Sequence, residues 1–142
     1  MKRNVLFLCT GNSCRSQIAE ALLRARGGEH YEALSAGMEP KGVHPFTLRV
    51  LEEINVSTAG LESKHVSQFL GHVQVHVLIV VCDGAKESCP RILTGMSERL
   101  FWPFDDPASA TGTEMERLEV FRRVRDEIDQ RIGTWLAAER AA

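Results

Sequence analysis

Two rhythms of apolar and polar positions run along this chain. Asn4 to Cys9, NVLFLC, is an almost unbroken apolar run that stops at the polar set Thr-Gly-Asn, the pattern of a strand covered on both faces. From Arg15 the period lengthens: Ile18, Ala19, Leu22 and Leu23 recur at helical spacing until Gly27 and Gly28 end the run. YEALSAG (31–37) predicts a second strand, and HPFTLRVLEEINV (44–56) a second helix with Pro45 tolerated in its first turn. VHVLIVVCD (75–83) carries the strongest strand pattern and ends on Cys82. RLFWPFDDP (99–107), short, aromatic and broken by proline, is an edge strand or the entry to a loop. Thr113 and Glu116 are spaced for a capping box. Beyond them Leu118, Phe121, Val124, Ile128, Ile132 and Trp135 predict a long helix to about Glu139.

Strands alternating with helices predict a three-layer α/β/α sandwich around a central parallel four-stranded sheet, with ligands beyond the carboxyl ends of the strands. The 142 residues suit one domain, 1–142, and no linker or repeat divides them. A net charge of -2 with both signs interspersed argues against a nucleic-acid or membrane-surface partner, so an anionic ligand must be held locally. No segment approaches the roughly 20 apolar residues of a membrane span, and the first residues lack the pattern of a signal peptide. The expectation is a cytoplasmic monomer. The four cysteines, Cys9 with Cys14 and Cys82 with Cys89, then read as reactive or buried thiols. Zinc is the weaker reading, because neither pair has the two-residue gap of structural sites and the five histidines are scattered. No bound metal or cofactor is expected.

Chemistry concentrates where the first strand ends. A loop running from a strand into a helix turns backbone N–H groups inward beside the positive end of the helix dipole. In CTGNSCRS, Thr10 to Ser16 would form an oxyanion cradle, with Gly11 supplying conformations closed to other residues and Asn12 bracing the loop with its amide. Arg15 offers a guanidinium fork for two oxygens of a tetrahedral anion, and the same field suits Cys9 as a nucleophile. Ser13 or Ser16 is a candidate hydroxyl donor to the Cys9 sulfur, while Cys14 is expected to pack under the loop or at the helix start. The missing Gly-Lys-Ser/Thr ending argues against a nucleotide P-loop. A leaving oxygen needs a proton, and WPFDDP provides two carboxylates; the residues alone do not choose between Asp105 and Asp106.

CTGNSCRSQIAEALL, LSAGMEPKGVHP, VVCDGAKESCP and WPFDDPASATGT together resemble the arsenate reductases that use a thioredoxin-type reductant and share the low-molecular-weight protein tyrosine phosphatase fold. The resemblance runs through FRRVRDEIDQRI and covers nearly the whole chain. It implies that Cys9 attacks arsenate, Arg15 holds its oxygens and Asp105 protonates the departing oxygen. It further implies a relay in which Cys82 attacks Cys9 and Cys89 attacks Cys82, with thioredoxin reducing the final disulfide. Asn12 and Ser16 match the loop-bracing and thiolate-bonding positions.

Were residues 82–89 a regular helix, the two cysteine α-carbons would lie about 10 Å apart, beyond the roughly 7 Å reach of a disulfide. A redox-dependent rearrangement of residues 82–90 is therefore expected. The alternative enzyme is a low-molecular-weight tyrosine phosphatase using Cys9, Arg15 and Asp105, yet AGMEPKGVHP offers no aromatic wall for a phosphotyrosine ring. A non-catalytic oxyanion sensor would not need the later thiols. LESKHVSQFL departs from relatives richer in Ser, Asp or Asn there; Lys64 and His65 would enlarge the positive field, with His65 otherwise an ordinary hydrogen-bonded residue.

Overall fold

The computed structural model describes residues 2–82 and 98–141. Its elements run β1 (Arg3–Cys9), α1 (Arg15–Gly27), β2 (Tyr31–Gly37), α2 (Pro45–Glu52), β3 (Val77–Val80), β4 (Glu98–Phe101) and α3 (Glu114–Ala141). The strands form one four-stranded parallel sheet, as the alternation of strands and helices predicts, and their order is β2-β1-β3-β4.

Strand periodicity sorts the core into two faces. Val5, Phe7, Cys9, Val77 and Ile79 pack against Ile18 and Leu22 of α1 and Val124, Ile128 and Ile132 of α3. Leu6, Leu8, Ala36 and Leu78 face the other way and are covered by Val66, Phe69, Leu70 and Val75, around a short 3-10 turn at Val66–Gln68. These two coverings make the three layers. Fully burying one such side chain contributes about 1.5–3 kcal/mol, so the helices are held by the sheet rather than by helix propensity alone.

Local signals set the boundaries. The capping box forms as expected: the Thr113 N–H donates to Glu116 Oε1 and the Glu116 N–H to Thr113 Oγ1, each at 3.1 Å. His44 caps α2 by accepting the Phe46 N–H at its Nδ1, 3.0 Å away, and Pro45 occupies the first turn. That helix stops at Glu52, earlier than the 44–56 pattern suggests. Asn55 takes a left-handed φ of 59° and the Val56 N–H returns to the Leu51 carbonyl, which turns Val56 back into the core. RLFWPFDDP is both edge strand and loop: β4 ends at Phe101, and Trp102 is then buried against Phe7 and Trp135.

Candidate active site at the end of the first strand

Residues 10–14 are held from behind through their carbonyl groups. The Glu39 N–H donates to the Thr10 carbonyl, that of Lys41 to Gly11 and that of His44 to Ser13, at 2.8, 3.0 and 3.1 Å. Gln17 Nε2 donates to the Asn12 carbonyl at 3.0 Å and the Ile18 N–H to that of Cys14 at 2.9 Å. Because a trans peptide sets its C=O and N–H on opposite sides, the N–H groups that follow these carbonyls turn toward the other side of the loop. There a cavity of about 360 Å³ opens, lined by Cys9, Thr10, Gly11, Ser13, Cys14, Arg15, Lys41, Asp106 and Ala108.

The left-handed turn falls on Asn12, with φ 47°, and not on Gly11, whose expected conformational role is thereby corrected. Asparagine tolerates this region because its amide can bond locally, and here it bonds on both ends. Asn12 Nδ2 donates to Ser16 Oγ at 2.8 Å and to Ser35 Oγ at 3.0 Å, while Oδ1 accepts the Lys64 N–H at 2.8 Å. Ser35 Oγ donates onward to Glu20 Oε1 at 2.7 Å.

Ser16 Oγ lies 2.8 Å from Cys9 Sγ, which decides between the two serines named from sequence. Ser16 Oγ accepts from Asn12 and still has its hydroxyl hydrogen, which it can donate to the sulfur once Cys9 is a thiolate. Asn12 and Ser16 are thus fully buried behind the loop, whereas Thr10, Gly11, Ser13, Cys14 and Arg15 line the cavity. Cys14 packs with Val50, Leu118 and Phe121, and burial pushes its thiol up to about 11, which keeps it protonated and inert.

Arg15 is only 4 % exposed, although it carries a permanent charge. Its Nη1 donates to the Phe104 carbonyl at 3.2 Å, and its Nη2 lies 3.9 Å from Asp106 Oδ2. The loop supplying both groups is tied to the end of β3 through the Trp102 N–H on the Val80 carbonyl and the Phe104 N–H on that of Val81. Asp106 Oδ1 meanwhile caps the 3-10 turn Pro107–Ser109 by accepting the Ala108 N–H. Asp105, assigned by resemblance as the proton donor, is turned away: it is absent from the cavity wall and its Oδ2 pairs with Arg123 at 3.1 Å. Neighbouring residues point to opposite sides of an extended loop, and the cap fixes which of the two faces inward.

Several supporting residues were not singled out from sequence. Gly37 ends β2 opposite Cys9, and a β-carbon there would sit 2.6 Å from the Thr10 carbonyl oxygen and 2.8 Å from the Asn12 nitrogen. A glycine closing a parallel strand beside the loop-bearing strand was the available signal. Glu20 falls one turn after Ser16 on α1 and is 3 % exposed; Arg24 at 2.5 Å and Lys64 at 3.8 Å balance its charge. His65 caps the Val66–Gln68 turn, as an ordinary hydrogen-bonded residue would. Burial and the nearby Arg117 hold His44 below its ordinary pKa, so the neutral ring keeps its cap on Phe46. Among the described residues no cluster of three or more His, Cys, Asp or Glu side chains is arranged to hold a metal.

Cys82 is fully buried just past β3 and shares a hydrophobic cluster with Cys9. Leu8 is in register with Val80, and the Val81 N–H bonds the Leu8 carbonyl, so Cys82 follows directly on the stretch of β3 that runs beside the end of β1. Cys9 and Cys14 are free thiols, whereas Cys82 is disulfide-bonded. Cys89 and the expected rearrangement of 82–90 fall on residues 83–97, outside the described residues.

The family described as low molecular weight phosphotyrosine protein phosphatase matches residues 4–141. An arsenate reductase from Halalkalibacterium halodurans is 41% identical over 134 residues, covering 94% of this chain and 95% of its own. The chain belongs to the arsenate reductase branch of this phosphatase family. A Bacillus subtilis arsenate reductase is 37% identical, with 90% of this chain and 91% of its own covered. Among solved structures, an arsenate reductase in the phosphate-binding state superimposes with a TM-score of 0.78 at 28% identity, over 96% of this chain and 98% of that one. A thioredoxin-dependent arsenate reductase from Corynebacterium glutamicum matches with a TM-score of 0.73 at 27% identity, over 99% of this chain and 64% of its own.

Proposed function

We propose that this chain, acting as a single domain of residues 1–142, reduces arsenate to arsenite by a thiol relay regenerated by thioredoxin. The observation that carries the reading is the placement of Cys9 at the end of β1 and of Cys82 just past the end of the adjacent parallel β3, with Cys9 on the wall of the cavity that Arg15 also lines. Cys9 Sγ attacks arsenic, an S–As bond forms, and an As–O bond breaks as Asp106 protonates the departing oxygen. Arg15 and the inward N–H groups hold the remaining oxygens.

Cys82 then attacks Cys9 Sγ. The S–As electron pair stays on arsenic, which falls from As(V) to As(III) and leaves as arsenite, while the two sulfurs become a disulfide. Cys89 attacks Cys82 and expels Cys9 as thiolate, and the thioredoxin dithiol reduces the Cys82–Cys89 bond. Such a cycle needs a reducing compartment, which places the protein in the cytoplasm.

The rim of the cavity is formed by Lys41 and Ala108, with no aromatic ring among its described lining residues, which disfavours a phosphotyrosine substrate. Arsenite release in the presence of thioredoxin, its reductase and NADPH tests the reading. Sustained release consuming one NADPH per arsenite is expected. Hydrolysis of aryl phosphate without arsenite release would make the protein a phosphatase instead.

A further inference from the structure

We infer that Lys41 is the second cation of the cavity and a specificity-determining residue, capturing doubly charged tetrahedral oxyanions at the mouth before Arg15 clamps them. The inference deepens the arsenate reading and rests on it for the identity of the anion that reacts.

Lys41 lines the same cavity as Cys9 and Arg15, on its exposed side. Its starting point is fixed, because its own N–H is bonded to the Gly11 carbonyl between the similar bonds of Glu39 and His44. From there its stem lies over the loop: a β-carbon on Gly11 would meet Lys41 Cδ, Cγ and Cβ at 3.4, 3.6 and 3.8 Å. A β-carbon at Gly11 would thus sit in ordinary van der Waals contact with the stem, which shows how closely Lys41 follows the loop. The ammonium has no carboxylate partner among the described residues, whereas Arg3, Arg24, Arg26, Arg122, Arg123 and Arg125 each have one.

Charge balance gives this cation a task. Asp106 is the carboxylate on the cavity wall, and at 3.9 Å it offsets much of the Arg15 charge felt by an incoming anion. While Asp106 is ionised, before it takes up the proton it later gives to the departing oxygen, Arg15 and Asp106 sum to zero, so Lys41 supplies the net positive charge that a dianion meets on approach. A compact ammonium on a four-carbon stem can follow the anion inward, while the buried Arg15 fork stays in place. This contribution is solvent-exposed and therefore sensitive to salt.

The test is a titration of the full-length protein with inorganic phosphate, followed by amide chemical shifts, for wild type, Lys41→Met, Lys41→Arg and Lys2→Met. Lys2→Met removes the same charge at the opposite end of β1. We expect Lys41→Met to weaken phosphate binding about tenfold at low ionic strength and about threefold or less near 0.5 M salt, with Lys41→Arg restoring most of it and Lys2→Met unchanged. In arsenate turnover the Lys41→Met loss should fall on KM rather than kcat. Phosphate affinity in Lys41→Met within about twofold of wild type at low salt would overturn the inference, as would an equal loss in Lys41→Arg. If wild type binds phosphate in this Lys41-dependent way but releases no arsenite, the arsenate reading fails and the capture role stands. If arsenite is released while phosphate binding is independent of Lys41, the capture role fails and the arsenate reading stands.

Discussion

Two polar networks of similar size occupy opposite environments in this molecule. Behind the anion loop, Glu20, Ser35, Asn12 and Ser16 are at most 3 % exposed and pass hydrogen bonds one to the next until they reach the Cys9 sulfur. Between α3 and the end of α2, Glu53 receives Arg122 and Arg125, Arg122 also binds Glu119, and Arg125, the buried member, bonds Asp126. Glu53, Arg122, Glu119 and Asp126 remain partly or fully open to water. The second network has more formal charge, but water can replace most of its bonds. In the first, any deleted partner leaves a buried group unsatisfied. Position in the fold therefore decides which network sets the geometry of the reacting thiol.

The sharpest way to break this contrast is Asn12→Ala, which removes two donated bonds and one accepted bond together. A loss of about 3 kcal/mol in urea unfolding is expected, at roughly 1 kcal/mol per bond, with kcat/KM falling at least about a hundredfold. Gly37→Ala should follow at about 1–3 kcal/mol, since the new β-carbon can be accommodated only by moving loop backbone. Ser16→Ala should cost about 1 kcal/mol in stability but about tenfold or more in the rate of Cys9 alkylation by iodoacetamide, which separates its effect on the sulfur from its effect on the fold.

Arg122→Ala lies at the other end of the scale. Its KM should be indistinguishable from wild type and its urea midpoint at neutral pH should fall only slightly, because the pair with Glu53 is partly open to water and distant from the cavity. The smallest effect is acid-specific. Hydrogen bonds from Arg122 hold the Glu53 carboxyl below its ordinary range, so its contribution is fully present above the unfolded pKa and lost as pH falls through the lower folded value. Wild type should therefore lose stability more steeply than Glu53→Gln on the acid side of pH 4, as read by urea midpoints across that range.

How much of this was legible follows from range along the chain. β1, α1 and the Thr113–Glu116 box are written in local periods and spacings, and the sequence reading places them correctly. Cys9 and Arg15 also stand out, because a thiol at a strand end and an arginine opening a helix are local facts. The choice of Asp106 over Asp105 depends on how β4 leads into its loop and on the cap at Ala108, which composition does not encode. Ser35 and Glu20 join Asn12 only once β2 lies beside β1 and α1 crosses them, a nonlocal packing outcome. The helix pattern of α1 marked Ile18 and Leu22 as core but gave no reason to bury Gln17 or Glu20 with them.

The central claim, a relay that leaves Cys9 for Cys82, is tested most directly in Cys89→Ser given arsenate and no reductant. One arsenite per protein is predicted, with peptide mapping finding Cys9 and Cys82 joined by a disulfide. Repeated turnover of this variant, or arsenite release with no Cys9–Cys82 linkage, would contradict the account.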